Sequence, residues 1–435
     1  MICIKSRYFH LNRIFLLALG LWPYSHQSNF VRFQIILCFS FLASSIIVQL
    51  TVFFTTECTL YLIIKVSSTA MYCSTFVINY NSFWINAHNV KTLMERLQEI
   101  CNELKDENEI NIMKDYGNSV KFYTFVLTML TAISTCTIVS VSLFMPIVLH
   151  MNESQTRQLI YFTSEYFIDQ EKYAYLILIH SNIVLCIGIT TVSTIGTMLR
   201  GCCIHACGLF KVASYRIEHA LAMKMFKNIN IENEIIYKEI ICAVDIHRKA
   251  IKLVSICDSI YIHIVFIIFY FLRYSEFLLS SFKGTLFSVM VIHVICLSLN
   301  LFAVFQTAAL GKKEEFSYHC LIVIVILLYM FLANYTGQEI IDHNNDIYIA
   351  AYNARWYVAP VHIQKLILFL LQRGGKPFNL SVASIFVASL ECFATVIIIH
   401  YLKLTLLLII QEKIYLLQLL KASMSYFTFI CSAQQ

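Results

Sequence analysis

The chain has 435 residues, of which 59% are hydrophobic and only 13% are charged, and its formal net charge is +6. A soluble globular domain carries about 25% charged residues, so the composition excludes a soluble protein of several domains. The apolar residues come in blocks of about 20, the length at which a helix crosses a hydrocarbon core of about 30 Å. The composition therefore predicts an all-α, polytopic membrane protein.

The apolar blocks follow one another along the chain with polar segments between them. The polar N-terminal segment (1–32) has no cleavable secretory signal, so the first apolar block is expected to act as its own targeting signal. We predict spans at residues 33–56, 58–83, 122–149, 173–198, 284–310 and 318–336, and in a longer block at 380–430. A further apolar stretch covers residues 254–274 and is treated separately below.

Basic residues predict the orientation of these spans. Lysine and arginine are concentrated in the segments 1–32, 84–121, 199–252 and 337–379, whereas 150–172 and 311–317 hold few of them. Because cytoplasmic loops are enriched in basic residues, we expect a cytoplasmic N-terminus and, with seven spans, a C-terminus outside the cell. The sequon Asn152-Glu153-Ser154 lies in the longest predicted outer loop, so Asn152 is the expected glycosylation site.

Two cytoplasmic segments have the pattern of amphipathic helices. Residues 91–108 repeat apolar side chains at three- and four-residue steps. They are Leu93, Leu97, Ile100, Cys101 and Leu104. Residues 208–252 follow the same pattern with interruptions. Such helices either pack against each other and against neighbouring subunits, or they lie on the lipid surface.

The sequence contains no motif of an enzyme or of a cofactor site. There is no P-loop, GxGxxG, HExxH or GxSxG pattern. The cluster Cys202, Cys203, His205 and Cys207 has metal-ligand residue types, but its spacing is too tight for a zinc site and it lacks a second ligand pair. We therefore expect that the protein is not an enzyme, that it has no metal or cofactor site and that it has no nucleic-acid partner. We interpret the cluster as part of a cytoplasmic helix close to the membrane.

Charged residues inside the spans are few, and Lys65 and Glu391 are the notable ones. Intramembrane charges are costly and are often functional. The alternative for Lys65 is that its ammonium group extends along the helix to the membrane surface.

Aromatic residues make up 14% of the chain and are found in the predicted outer halves of the spans. Aromatic and methionine side chains suit a pocket for a small apolar ligand that offers few hydrogen bonds. The candidates for ligand contact are Phe144, Met145, Tyr173, Tyr175 and Tyr318. Aromatic residues of the helix core have the same sequence pattern, so both interpretations stay open.

Several motifs in order along most of the chain resemble the insect odorant receptor family. The opening segment ends in Gly20-Leu21-Trp22-Pro23-Tyr24, and Glu165-Tyr166-Phe167-Ile168-Asp169 precedes the fourth span. The stretch with Gln338, Tyr352 and Trp356-Tyr357 is similar to the segment after the sixth span, and Ser425-Tyr426-Phe427-Thr428 to the terminus. The TYhhhhhQF pattern of the related gustatory receptors is not present.

The resemblance implies a tuning receptor in the plasma membrane of a sensory neuron dendrite. Family members are odorant-gated, non-selective cation channels in which such subunits form heterotetramers with a shared odorant co-receptor. The last helix is split into a cytoplasmic anchor, here with Ile363, Leu366 and Leu370, and a pore-lining half that starts near Asn379. Alignment with the co-receptor terminus places Phe429 at the gate and Ser432 at the pore mouth.

Two apolar stretches do not fit the family pattern. As one helix, residues 380–430 would be about 76 Å long, more than twice the thickness of a bilayer core. Removal of residues 396–418 joins Thr395 to Leu419 and gives a continuous family-like pore helix, and removal of 254–274 also restores the pattern. Since Val codons begin with GT and one Gln codon is CAG, we hypothesise that 396–418 is a translated intron; the alternative is a genuine insertion.

The expected architecture is therefore a seven-transmembrane odorant receptor domain over residues 1–435 with two extra apolar inserts. It comprises the cytoplasmic segment 1–32, spans one to six in 33–336, the anchor region 337–379 and the pore-lining region 380–435. The alternatives are a gustatory receptor-like channel, a non-conducting binding protein or pseudogene product because the pore helix is interrupted, and a secondary transporter, which the missing repeat disfavours.

Overall fold

The structure is a computed structural model. The described residues are 8–25, 28–148, 163–170, 172–222, 285–353, 356–358, 361–374, 381–382, 386–387, 389–403 and 405–406. The insert 254–274, Asn152, and Phe429 and Ser432, which were predicted to lie at the pore, are outside these ranges.

Helices account for nearly all of the described structure. The first seven are α1 (His10–Ala18), α2 (Asn29–Leu50), α3 (Val52–Thr55), α4 (Leu60–Ile85), α5 (Ala87–Glu103), α6 (Glu107–Val148) and α7 (Ala174–Ala222). They are followed by α8 (Thr285–Ala309), α9 (Lys313–Asn353), a 3-10 turn (Trp356–Val358), α10 (Val361–Gly374), the strands β1 (Ser381–Val382) and β2 (Phe386–Val387), and α11 (390–403). The predicted all-α class is confirmed, with one short antiparallel pair between β1 and β2 in which Ser381 lies opposite Val387.

Six helices in the described ranges are long and apolar enough to cross a membrane. They cover Asn29–Thr55, Leu60–Ile85, Glu107–Phe144, Ala174–His219, Val291–Ala309 and Glu315–Asn353. Each contains most of one predicted span, so the first six spans are confirmed by length and composition. Three of these helices continue well beyond a bilayer: α7, with 49 residues, is about 74 Å long.

Local sequence explains where several helices begin and end. Ser28 and Thr59 accept hydrogen bonds from the backbone N–H groups of Val31 and Leu62, which caps α2 and α4. Gly20 follows α1 and Gly311 separates α8 from α9, both with positive φ angles, a conformation that glycine adopts without a steric penalty.

Helix α7 lies at the centre of the bundle. It contacts α1, α2, α4, α5, α6 and α9. In its most apolar window 44% of the residues are buried, against 6% for α6, whose apolar side chains face outward, where the membrane would surround them.

The core consists of two hydrophobic clusters. The larger one surrounds α7 and takes in the N-terminal aromatics Tyr8 and Phe9. It also contains the stripe predicted for the first cytoplasmic helix, from Leu93 to Leu104, all of it buried, although the helix that carries it ends at Glu103. The smaller cluster joins α8, α9 and α11.

Candidate functional site

The two clusters meet between α4 and α9. Tyr72 on α4 and Tyr318 on α9 are partly buried and pack against both clusters. Met71 packs against the smaller one. This junction, defined by Met71, Tyr72 and Tyr318, has the aromatic and thioether surface that suits contact with small apolar molecules.

The wall of the junction is formed by close packing of α4 on α7. The rings of Tyr72 and Phe76 meet edge to face with centroids 4.9 Å apart. The Phe76 ring lies directly on the α7 backbone at Gly188, where a Cβ atom would overlap it. Glycine at this position therefore sets how closely the aromatic pair approaches α7.

A charged cluster lies about two to three turns from the junction along α4. Lys65 Nζ is 2.9 Å from Glu315 Oε1, and Tyr61 donates its hydroxyl to the other carboxylate oxygen. Lys312 Nζ lies 3.9 Å from the same carboxylate and 4.5 Å from the Tyr61 ring centroid. Lys65 is thus paired with a carboxylate on a neighbouring helix.

Next to this cluster, His319 is almost completely buried. The Asn300 side chain donates from Nδ2 to the Cys296 carbonyl oxygen at 2.8 Å, so its Oδ1 accepts from His319 Nδ1 at 2.9 Å. The imidazole proton is therefore on Nδ1. This bond links α8 to α9 beside Tyr318.

The predicted ligand-contact residues occupy different environments. Phe144, Tyr173 and Tyr175 are 61%, 40% and 41% exposed, and they point away from the bundle core. Tyr318 alone among the described candidates packs against the clusters, and the Met145 side chain lies outside the described part of the structure. Sequence reasoning missed Tyr72 and Phe76, whose signal was that Tyr72 lies within, and Phe76 directly after, the small and polar run from Ser67 to Thr75 of α4.

The segment 163–170 is held by hydrogen bonds against the end of α2 and the first turns of α7. The Glu165 N–H donates to the Val48 carbonyl oxygen at 2.7 Å, and the Thr51 hydroxyl donates to the Glu165 carbonyl oxygen at 2.8 Å. Tyr166 Oη lies 2.8 Å from His180 Nδ1. Burial raises the pKa of Tyr166 to about 12, so its hydroxyl stays protonated at neutral pH.

The imidazole of His180 also contacts α2. Its Nε2 is 2.9 Å from Ser44 Oγ, whose hydrogen is donated to the Phe41 carbonyl oxygen. Nε2 is therefore the donor to Ser44, and Nδ1 accepts from Tyr166. The His180 side chain thus connects α2, α7 and the segment 163–170.

Deeper in the bundle, Arg200 of α7 is 7% exposed and bonds to α9. It donates to Thr336 Oγ1 at 2.8 Å and to Glu339 Oε2 at 3.3 Å. Its guanidinium also lies over the rings of Tyr123 and Tyr335, with centroid distances of 4.8 and 5.2 Å. Arginine suits this position because its planar guanidinium group can donate hydrogen bonds to Thr336 and Glu339 and stack on aromatic rings at the same time.

Helix α11 begins later than the start near Asn379 that the sequence predicted. The strands β1 (Ser381–Val382) and β2 (Phe386–Val387) precede it, and the Ser389 hydroxyl caps the helix by accepting from the Cys392 N–H at 3.2 Å. The helix packs on α9 through the ring contact of Phe331 with Phe393, whose centroids are 5.5 Å apart.

The anchor prediction falls on α10, which ends at Gly374, the first residue of the pair Gly374-Gly375. Ile367 is fully buried and Leu371 packs against the larger cluster. The side chains of Ile363, Leu366 and Leu370 lie outside the described part of the structure. Val361 and Leu368 are exposed by 66% and 55%, so α10 also presents apolar side chains on its outer surface.

The cysteine and histidine cluster on α7 is buried in the larger hydrophobic cluster. Cys202, Cys203, His205 and Cys207 are each at most 5% exposed. The imidazole packs against the rings of Tyr8 and Phe9. Among the described residues there is no group of three or more ligand-type side chains arranged to hold a metal ion.

Comparison with known proteins identifies the fold and the family. The chain superimposes on the insect olfactory receptor OR5 from Machilis hrabei in complex with eugenol with a TM-score of 0.73, at 17% identity over 93% of this chain and 98% of that one. A second structure of the Machilis hrabei receptor gives the same TM-score at 15% identity, also with 93% and 98% coverage. A search of curated proteins gives no match.

The family model described as 7tm Odorant receptor matches residues 59–401. This range includes the junction, the charged cluster, Arg200 and the beginning of α11. The chain therefore belongs to the 7tm Odorant receptor family.

Proposed function

We propose that this odorant receptor is a subunit of an odorant-gated, non-selective cation channel that assembles with the odorant co-receptor as a heterotetramer. The observation that carries the proposal is the family match over residues 59–401. The apolar outer surface of α10 supports assembly, since exposed apolar patches mark interaction sites. In the proposed assembly Ile363, Leu366 and Leu370 belong to the subunit anchor, and Phe429 and Ser432 to the pore.

The ligand class we propose is a small volatile molecule with few hydrogen-bonding groups. The Machilis hrabei receptor has been solved with eugenol. In this chain the junction of Met71, Tyr72 and Tyr318 offers apolar and aromatic surface with His319 and Asn300 beside it. Of the residues selected from sequence, Tyr318 is the strongest candidate for ligand contact, and Phe144, Met145, Tyr173 and Tyr175 remain secondary proposals.

We also propose a plasma-membrane receptor with a cytoplasmic N-terminus, placed in sensory dendrites. The distribution of lysine and arginine supports this orientation. It predicts an outer segment 150–172 with glycosylation at Asn152, and Asn152→Gln should remove the glycan without changing surface delivery.

The test of the function is current recording in cells that express the chain, in versions with and without the two inserts, together with the co-receptor. A panel of volatile ligands should evoke a cation current larger than that of the co-receptor alone. Tyr318→Ala should change the ligand concentration for half-maximal current, while Tyr348→Ala, on the cytoplasmic part of the same helix, should not. Absence of current from the version without inserts, despite surface delivery, would refute the proposal.

The second candidate is a membrane protein that binds ligands without conducting. The segment 396–418 favours it, because it lengthens the proposed pore helix beyond one span. Ligand binding by the purified chain without any evoked current would support this candidate.

A further inference from the structure

Helix α9 holds the first turn of α11 through two amide side chains. Asn334 Oδ1 accepts from the Ser389 N–H at 3.2 Å, and Gln338 Oε1 accepts from the Leu390 N–H at 3.4 Å. The first N–H groups of a helix have no partner within the helix. Asn334 and Gln338 therefore satisfy donors that α11 itself leaves open, and we refer to these two residues as the seat.

The seat is itself fixed on α9. Asn334 is 1% exposed and donates from Nδ2 to the Met330 carbonyl oxygen at 2.9 Å. Gln338 donates from Nε2 to Asp342 Oδ1 at 2.8 Å. Each amide thus has its donor end bound within α9, which orients its oxygen toward α11.

The same short stretch of α9 is bound to α7 on its other side. Thr336 and Glu339 hold the Arg200 guanidinium. At 100° per residue, the mean direction of Thr336 and Glu339 is about 150° from that of the seat. Residues 334–339 therefore lie between α7 and α11, and a displacement of α9 against α7 acts directly on the start of α11.

We propose that Asn334 and Gln338 are positioning residues for gating: they transmit movement of α9 to the last helix through its first turn. The inference rests on the proposed channel function, in which α11 leads into the pore. It assigns to the seat a role distinct from ligand contact, because both residues lie more than three turns along α9 from Tyr318.

The test uses variants that remove the accepting oxygen, Gln338→Met and Asn334→Leu. Each has a matched control on another helix, with a donor contact of the same kind within that helix. Gln98→Met removes a glutamine that donates to Asn102 Oδ1 at 2.9 Å, and Asn79→Leu removes a buried asparagine that donates to the Thr75 carbonyl oxygen at 2.7 Å. All variants are compared at equal surface density.

Two measurements separate the inference from the proposed function. Hydrogen exchange on the purified chain should be faster at the Ser389 amide in Asn334→Leu and at the Leu390 amide in Gln338→Met. Exchange at both amides should be unchanged in the control variants. The ratio of odorant-evoked to ligand-free current should fall by about fivefold, the factor expected for loss of one net hydrogen bond. The ligand concentration for half-occupancy, from binding to the purified chain, should not change.

Unchanged exchange at these two amides in both seat variants would overturn the inference. So would an unchanged current ratio in a variant whose amides do exchange faster. A wild-type chain without any evoked current would count against the proposed function, and hydrogen exchange would then decide whether the seat exists.

Discussion

Arg216 of α7 and Glu109 of α6 form a buried, two-pronged ion pair. Arg216 Nη2 donates to Glu109 Oε2 at 2.7 Å and its Nε donates to the other oxygen. Glu109 is 4% exposed and Arg216 8%. The pair joins the beginning of α6 to the end of α7, and Glu109 also lies in the first turn of its helix, where the helix dipole favours a carboxylate.

Glu109→Gln should strongly destabilise the fold. The replacement removes the carboxylate charge that pairs with the buried Arg216 guanidinium, and breaking a buried ion pair costs about 3–5 kcal/mol. Thermal unfolding of the purified protein measures the loss. Glu107→Gln, an exposed acidic residue in the same first turn, is the control and should shift the melting temperature little. Equal melting temperatures for both variants would show that the pair does not hold α6 to α7.

Gly188→Ala should destabilise the packing of α4 on α7. The new Cβ would overlap the Phe76 ring, and overpacking of a core costs about 1–3 kcal/mol. Gly196→Ala, on the same helix, is the matched control because nothing lies within 4 Å of the added carbon. It should raise stability by up to about 1 kcal/mol, since alanine is the better helix former. Thermal unfolding should show a lower melting temperature for Gly188→Ala and a slightly higher one for Gly196→Ala than for the wild type.

The six spans were predictable because their signal is local. A run of apolar residues of bilayer length, or an apolar stripe at helical spacing such as Leu93 to Leu104, is written in consecutive residues. The continuations of α6 and α7 beyond a bilayer length belong to the same helices as the spans, and the sequence pattern alone did not show where the span ended and the continuation began.

The site was less predictable because it depends on pairing between distant residues. Nothing in the neighbours of Lys65 indicates Glu315, 250 positions away. Aromatic composition could not separate Tyr318 from Phe144, because in a membrane protein apolar side chains face both the core and the lipid. The seat could not be predicted from the sequence either, since no sequence motif at Asn334 and Gln338 indicates that they contact α11.

Tyr166→Phe should weaken the docking of the segment 163–170 on α2 and α7. Phenylalanine cannot donate to His180, and one net hydrogen bond contributes about 1 kcal/mol. Because the pKa of Tyr166 is raised to about 12, the hydroxyl stabilises the fold fully below about pH 10, the ordinary tyrosine value, and less as pH rises beyond it. The difference in melting temperature between wild type and variant should therefore narrow above pH 10.

A suitable control for this pH dependence is Tyr175→Phe, whose side chain is 41% exposed on the adjacent helix. It should melt like the wild type across the same pH range. Equal melting temperatures of wild type and Tyr166→Phe below pH 10 would mean that the hydroxyl does not hold the segment, and a gap that stays constant up to pH 11 would mean that folding does not raise the pKa of Tyr166.

The segment 396–418 begins inside α11 and contacts α8. Val396 and His400 are 8% and 5% exposed. His400 donates from Nδ1 to the Val396 carbonyl oxygen at 2.8 Å, and its Nε2 lies 2.9 Å from Ser298 Oγ. Removal of 396–418 would place Leu419 where Val396 stands and Ser423 where His400 stands. The buried positions would then receive an apolar and a small polar side chain, and Lys421 would replace Ile398, which is 58% exposed.

The deletion of 396–418, made in a chain that also lacks 254–274, should therefore keep α11 packed and give an odorant-evoked current that the version retaining 396–418 lacks. The register control is a deletion of 397–418, which rotates every later side chain by about 100° and should lose the current at equal surface density. Transcripts across codons 396–418 should show which version the cell makes. If the version with the segment conducts as well as the deletion, and mature transcripts encode the segment, then 396–418 is a genuine insertion. In that case the last helix must leave the membrane between Thr395 and Leu419, because its length does not fit a single crossing.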